Sequence, residues 1–109
     1  MQQLIHRRKR TMVYLIAKLK TQPGSTEAIR KAVAPCLEAT RKEPGCISYE
    51  LFQNIEDPDS LVFVEKWETR EHLAAHFETP HLIAWRNEGG KYFLDRTIEI
   101  IHPDHVEAL

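Results

Sequence analysis

Apolar and polar positions alternate with a period of two from Val13 to Lys20, where Val13, Leu15, Ala17 and Leu19 share one side and Tyr14, Ile16, Lys18 and Lys20 the other. That pattern predicts a strand with one firmly apolar face, and Gln22-Pro23-Gly24 ends it in a turn. From Ser25 the period lengthens. Ile29, Ala32, Val33, Cys36, Leu37 and Thr40 recur at helical spacing, which predicts a helix capped by Ser25 and running to about Glu43. Pro35 should bend it, and Pro44-Gly45 should stop it. Residues 46–54 and 61–68 read as two strands of an antiparallel hairpin around Glu56-Asp57-Pro58-Asp59. Thr69 can cap a short helix over 70–78, Pro80 opens a second one carrying Leu82, Ile83 and Trp85, and Gly89-Gly90 breaks it. Residues 94–102 form the last strand, which Pro103 ends.

The order is therefore βαββαβ, with the second helix in two pieces. Right-handed crossovers around the central hairpin give an α+β, ferredoxin-like fold: a four-stranded antiparallel sheet with helices on one face. The other face should be polar if water meets it. It is not. Phe63, Glu65 and Trp67 share one side of the third strand, yet Val62 and Val64 occupy the other; Tyr14 and Ile16 do the same in the first strand, and Ile98 and Ile100 oppose Ile101 in the last. Apolar groups on both faces predict a second cover, most simply another copy of the sheet, so a face-to-face homodimer is expected.

Length and charge narrow the setting. The 109 residues suffice for one domain and hardly more than one core. No apolar run approaches the roughly 20 residues of a membrane span, and MQQLIHRRKRT lacks the apolar stretch of a secretory signal, so no membrane partner and a cytoplasmic location are expected. Arg7, Arg8, Lys9 and Arg10 cluster, leaving 11 basic against 16 acidic residues elsewhere. Residues 1–11 are accordingly read as a basic, flexible extension to a domain spanning 12–109. A short basic arm without interleaved aromatics, on an acidic body that repels phosphate, argues against nucleic-acid binding. Cys36 and Cys46 stand far from any CxxC pairing and read as reduced thiols.

Candidate chemistry concentrates in EKWETREHLAAHFETPHLIAWR, residues 65–86. Glu65 and Trp67 have the parity of Phe63, and His72 and His76 lie four apart on one helix. His81 follows the Thr79-Pro80 corner. If the Trp67 face is the helix-covered one, these groups converge on a mostly apolar interior space with a few aimed polar groups, as a small-molecule site requires. His76 is the candidate acid–base group, and a buried Glu65 would need a partner or a function. His72, His76 and His81 offer three nitrogens to a metal, but no glutamate follows His72 as in HExxH, and no metal is expected. There is no phosphate loop and no GxSxG elbow.

These residues also carry a resemblance. Pro23-Gly24, Glu43-Pro44-Gly45-Cys46, Tyr49, Asp57-Pro58, Glu65-x-Trp67, His76 and Thr79-Pro80-His81, in this order from Met12 to about His102, resemble the antibiotic biosynthesis monooxygenase domain and its quinol monooxygenases. The resemblance implies a ferredoxin-like protomer paired sheet to sheet as a dimeric α/β barrel. It also implies oxygenation of a small aromatic or quinol substrate by O₂ without metal, flavin or other cofactor. Carried over onto matching positions, His76 and Trp67 are the catalytic candidates. Tyr49, Phe63, Glu65, His72, His81 and Arg86 are substrate-binding candidates.

Two alternatives stand beside that expectation. Haem degradation in a related branch needs an Asn in the first strand, which VYLIAKLK lacks. Another branch isomerises a phosphorylated signalling-sugar derivative, for which Arg86 or Lys66 could anchor phosphate. The remaining alternative is a non-catalytic dimeric module that binds a small ligand, since this fold hosts many functions.

Overall fold

The computed structural model describes residues 11–109, so the basic cluster Arg7–Arg10 lies outside the described residues. The elements follow the expected order: β1 (Val13–Thr21), α1 (Thr26–Thr40), β2 (Cys46–Gln53), β3 (Ser60–Trp67), α2 (Arg70–Phe77), α3 (Pro80–Gly89), a 3₁₀ turn (Gly90–Tyr92) and β4 (Phe93–Ile101). The sheet is antiparallel throughout, in the order β2-β3-β1-β4. This is the ferredoxin-like α+β fold.

Period-two patterning sets the register. Val13 pairs with Trp67, Leu15 with Glu65, Ala17 with Phe63 and Leu19 with Leu61, and all eight side chains are buried beneath the helices. Ile29, Val33 and Cys36 of α1 complete the core with Leu73, Leu82 and Trp85 from α2 and α3. The helix starts use different devices. Thr69 Oγ1 accepts from the His72 backbone N–H at 3.0 Å, an N-cap for α2. Ser25 departs from expectation: its hydroxyl donates backwards to the Gln22 carbonyl at 2.7 Å and does not cap α1. Helix α1 runs unbroken through the exposed Pro35 and ends at Thr40, not Glu43. A tighter turn replaces its last expected residues, with Lys42 N donating to Ala39 O and Glu43 N to Thr40 O.

The opposite face of the sheet carries Tyr14, Ile16, Val62 and Val64, all half-buried, with Phe52 and Ile101 exposed. Strand β4 differs from expectation on its helix side. Phe93 packs against Trp85 of α3, yet Ile98 farther along is exposed although its neighbour in register, Ala17, is buried. None of the helices among the described residues is long and apolar enough to cross a membrane.

Candidate active site

The site begins in the turn after α1. Gly45 takes φ +80°, a left-handed conformation that suits glycine, and its carbonyl accepts from Glu68 N at 2.8 Å, tying the turn to the end of β3. That tie sets Glu43 against the corner between α2 and α3. The corner is held by Thr79, whose hydroxyl donates to the His76 carbonyl at 2.8 Å. His76 enters from the last turn of α2 and His81 from the first turn of α3.

Glu43 Oε2 then lies 2.8 Å from His76 Nδ1 and 2.6 Å from His81 Nε2. One carboxylate oxygen takes two imidazole N–H bonds. This arrangement assigns the proton of His76 to Nδ1 and leaves Nε2, which has no hydrogen-bond partner among the described residues, as a lone-pair acceptor. Only 1% of His76 is exposed, and burial pulls its pKa below the usual imidazole value, while the Glu43 hydrogen bond and charge oppose the shift. The pair is thus a hydrogen bond from a neutral imidazole, not a salt bridge.

Aromatic rings fix the imidazole. The Trp67 ring centroid is 4.8 Å from that of His76, and the Tyr49 ring meets it edge-on at 5.2 Å. Trp67 Nε1 in turn donates to Glu65 Oε1 at 3.0 Å. Glu65 is only 4% exposed, and burial raises its pKa to about 7; the Glu43 charge adds to the rise, and the Trp67 bond and the Arg86 charge oppose it. Burial thus favours the neutral carboxyl there well above the usual carboxylate range. The Tyr49 phenol is raised by burial and contacts Cys36 Sγ at 3.7 Å, so it stays protonated and turned from the imidazole.

His76 and Glu65 both line one cavity between sheet and helices, together with Leu15, Phe63, Leu82 and Trp85. It encloses about 50 Å³, space for a few waters and well below the roughly 300 Å³ of a small-molecule site. A substrate of any size requires side chains to move. A larger hollow of about 460 Å³ lies elsewhere, beside Lys18, Lys20, Gln53 and Asp95. It contains no histidine and none of the perturbed groups, so the smaller cavity is the one with chemistry.

Residues 12–88 match the antibiotic biosynthesis monooxygenase domain. The chain belongs to that family. It is 33% identical over 103 residues to the probable quinol monooxygenase YgiN of Escherichia coli, covering 84% of this chain and 98% of that protein. The solved structure of Rv0793 from Mycobacterium tuberculosis superposes with a TM-score of 0.80 at 27% identity, over 91% of this chain and all of that one. PA3566 from Pseudomonas aeruginosa gives 0.77 at 25% identity, over 85% and 94%.

Within this family member the sequence-derived candidates separate into three groups. His76, Glu65, Phe63, Tyr49 and Arg86 line the cavity. Trp67 and His81 stand behind it: Trp67 is fully buried against His76 and anchors Glu65, and His81 reaches Glu43. His72 belongs to neither set. Its Nδ1 lies 2.7 Å from Thr69 Oγ1, and its ring covers Gly45. In place of the three histidines, Glu43, His76 and His81 are the donors that converge, within 4.8 Å of one another, a set that could hold a small divalent cation.

Two residues of this site escape a reading of the sequence. Glu43 sits in the Glu43-Pro44-Gly45-Cys46 pattern, where it reads only as the end of a helix. Arg96 enters the cavity wall from β4, and its parity with Ile98 was the available signal.

Proposed function

We propose that this antibiotic biosynthesis monooxygenase family member oxygenates a small phenolic or quinol substrate with O₂, using His76 as the base and neither metal nor flavin. The single observation that carries the reading is the divided role of the His76 ring. Its Nδ1–H is committed to Glu43, so Nε2 is the atom left to take a proton from a substrate hydroxyl in the cavity. Deprotonation gives an electron-rich quinolate that can pass one electron to O₂; the two radicals then combine at a ring carbon. Loss of water from the adduct completes the balance: a quinol and O₂ become a hydroxyquinone and water. A neutral Glu65 can donate a hydrogen bond to the developing peroxide, and the apolar wall keeps bulk water from the intermediates. YgiN, described as a probable quinol monooxygenase, supports the substrate class.

The reading includes a second copy of the chain. The apolar strip of Tyr14, Ile16, Val62 and Val64 faces away from the helices and would pack against its own twin. Cys36 and Cys46 are unbridged, which suits a reducing compartment such as the cytoplasm.

The test is oxygen uptake by purified, metal-stripped protein supplied with benzo- and naphthoquinols, both neutral and carrying a carboxylate or phosphate, under ¹⁸O₂. One labelled oxygen atom should enter the product, and His76→Ala should lower the rate about 100-fold, the scale of a lost general base. Enzyme-independent uptake across the whole series would overturn the oxygenase reading.

A further inference from the structure

The cavity is apolar inside but cationic at one edge. Arg86 reaches it from α3 and Arg96 from β4, so the two guanidiniums approach from the helix layer and from the sheet. Both residues are exposed, and neither guanidinium has a hydrogen bond or ion pair to a carboxylate among the described residues. Some basic side chains find partners, as Lys20 does in Asp57, Arg30 in Glu27 and Arg41 in the Tyr49 carbonyl; what sets Arg86 and Arg96 apart is that both line the cavity. Asp95, next to Arg96 in sequence, points its carboxylate at the Arg96 backbone N–H and belongs to the opposite sheet face.

Arg86 is also held in place. Its guanidinium lies over the Phe77 ring at 5.7 Å, as does that of Arg70. A guanidinium in such a cation–π contact keeps N–H groups available to an oxyanion. Two like charges flanking one opening repel each other, and an anion between them removes that repulsion. Glu65, deeper in the same cavity, feels the Arg86 charge, but no carboxylate pairs directly with either arginine among the described residues.

We infer that the substrate carries an ionised acidic group, a carboxylate or a phosphate, which Arg86 and Arg96 clamp at the mouth while the aromatic ring enters the cavity. The inference rests on the reading that this cavity is the substrate site, but not on the reaction that follows. Neutral quinols would then be poor substitutes for the natural compound.

Equilibrium binding without oxygen tests it, read by quenching of tryptophan fluorescence and by calorimetry. The probes are 1-naphthol, 1-hydroxy-2-naphthoate and 1-naphthyl phosphate. At least one acidic probe should bind about tenfold or more tightly than 1-naphthol, the scale of one charge-assisted contact, and added salt should shrink that ratio. Which acidic probe binds more tightly distinguishes carboxylate from phosphate. In the Arg86→Gln/Arg96→Gln double variant the ratio should fall to about one, whereas Arg30→Gln, on a paired surface arginine, should preserve it. Equal binding of neutral and acidic probes, no binding of either acidic probe at millimolar concentration, or a preference that survives the double variant would overturn the inference. Because no turnover is measured, an acid-selective protein that consumes no oxygen would retain the clamp and lose only the oxygenase assignment.

Discussion

Glu43 and His76 lie 33 positions apart in the chain and meet through a 2.8 Å hydrogen bond that determines which imidazole nitrogen is free. Glu43→Gln keeps the size of the side chain but offers a mixture of donor and acceptor. It no longer favours the Nδ1–H tautomer, nor stabilises the imidazolium that forms when Nε2 takes a proton. The expected result is a fall in kcat of about 10- to 100-fold with a smaller change in KM, because positioning of the base is lost while the cavity wall is kept. Steady-state oxygen uptake measures the split, and ¹⁵N imidazole shifts report the tautomer. Equal losses in wild-type-like tautomer and rate would be needed to retain the scheme; a slow enzyme with an unchanged tautomer would remove Glu43 as its positioning residue.

Glu65 and His76 should together give a bell-shaped pH profile. Burial holds the His76 pKa below its ordinary value, so activity should rise with pH on a limb below about 6.5. If neutral Glu65 is the hydrogen-bond donor, activity should fall again through about 7. Glu65→Gln keeps a neutral donor at every pH and should remove the alkaline limb alone. A variant retaining both limbs would assign the upper one to another group.

The same carboxyl has a stability consequence of fixed sign. Its folded-state pKa of about 7 exceeds the ordinary value of 4.5, so the folded chain holds this proton more tightly than the unfolded one. Its contribution is full below pH 4.5 and is lost as pH rises through 7. Glu65→Gln, free of that ionisation, should gain on wild type by on the order of 2 kcal/mol between pH 5 and pH 8.5. Denaturant titrations at the two pH values measure the difference. A constant gap would mean that Glu65 ionises in the folded protein as it does in water.

Gly45 shows how a residue near the site can act on the fold alone. Its positive φ strains any other residue, and an added Cβ would overlap the His72 ring. Gly45→Ala should destabilise the protein by about 1–3 kcal/mol. Adding His72→Ala removes the overlap but not the backbone strain, so the double variant should recover only part of the loss, as chemical denaturation would show. Full recovery would assign the whole effect to sterics.

What was legible in the sequence is what repeats locally. Period two placed Phe63, Glu65 and Trp67 on one face, and the fold buries all three beneath the helices. The Thr69 cap was equally legible, because a cap bond spans three residues. Glu43 was not, since its role depends on how the turn after α1 docks against the α2–α3 corner, and no local period encodes that approach. His72 misled for the converse reason: its spacing from His76 is helical, but the neighbouring turn claims its ring. The small size of the cavity also had no signature, because volume depends on how Leu82, Trp85 and Arg86 pack together.

The sheet face away from the helices yields the last prediction. Across it, Ile16 pairs with Val64, flanked by Glu50 on one side and Glu99 on the other. Tyr14 and Val62 extend the apolar strip above and below, with Lys66 over the Tyr14 ring at 5.6 Å. Water on so apolar a strip is unfavourable, and a twin sheet would exclude it. Val64→Lys places a charge at the centre of the strip without touching the helix-covered core. Sedimentation at micromolar concentration should show a wild-type dimer, and a Val64→Lys monomer with unchanged secondary structure by circular dichroism. A monomeric wild type, or a variant that still dimerises as tightly, would show that this face does not join two copies.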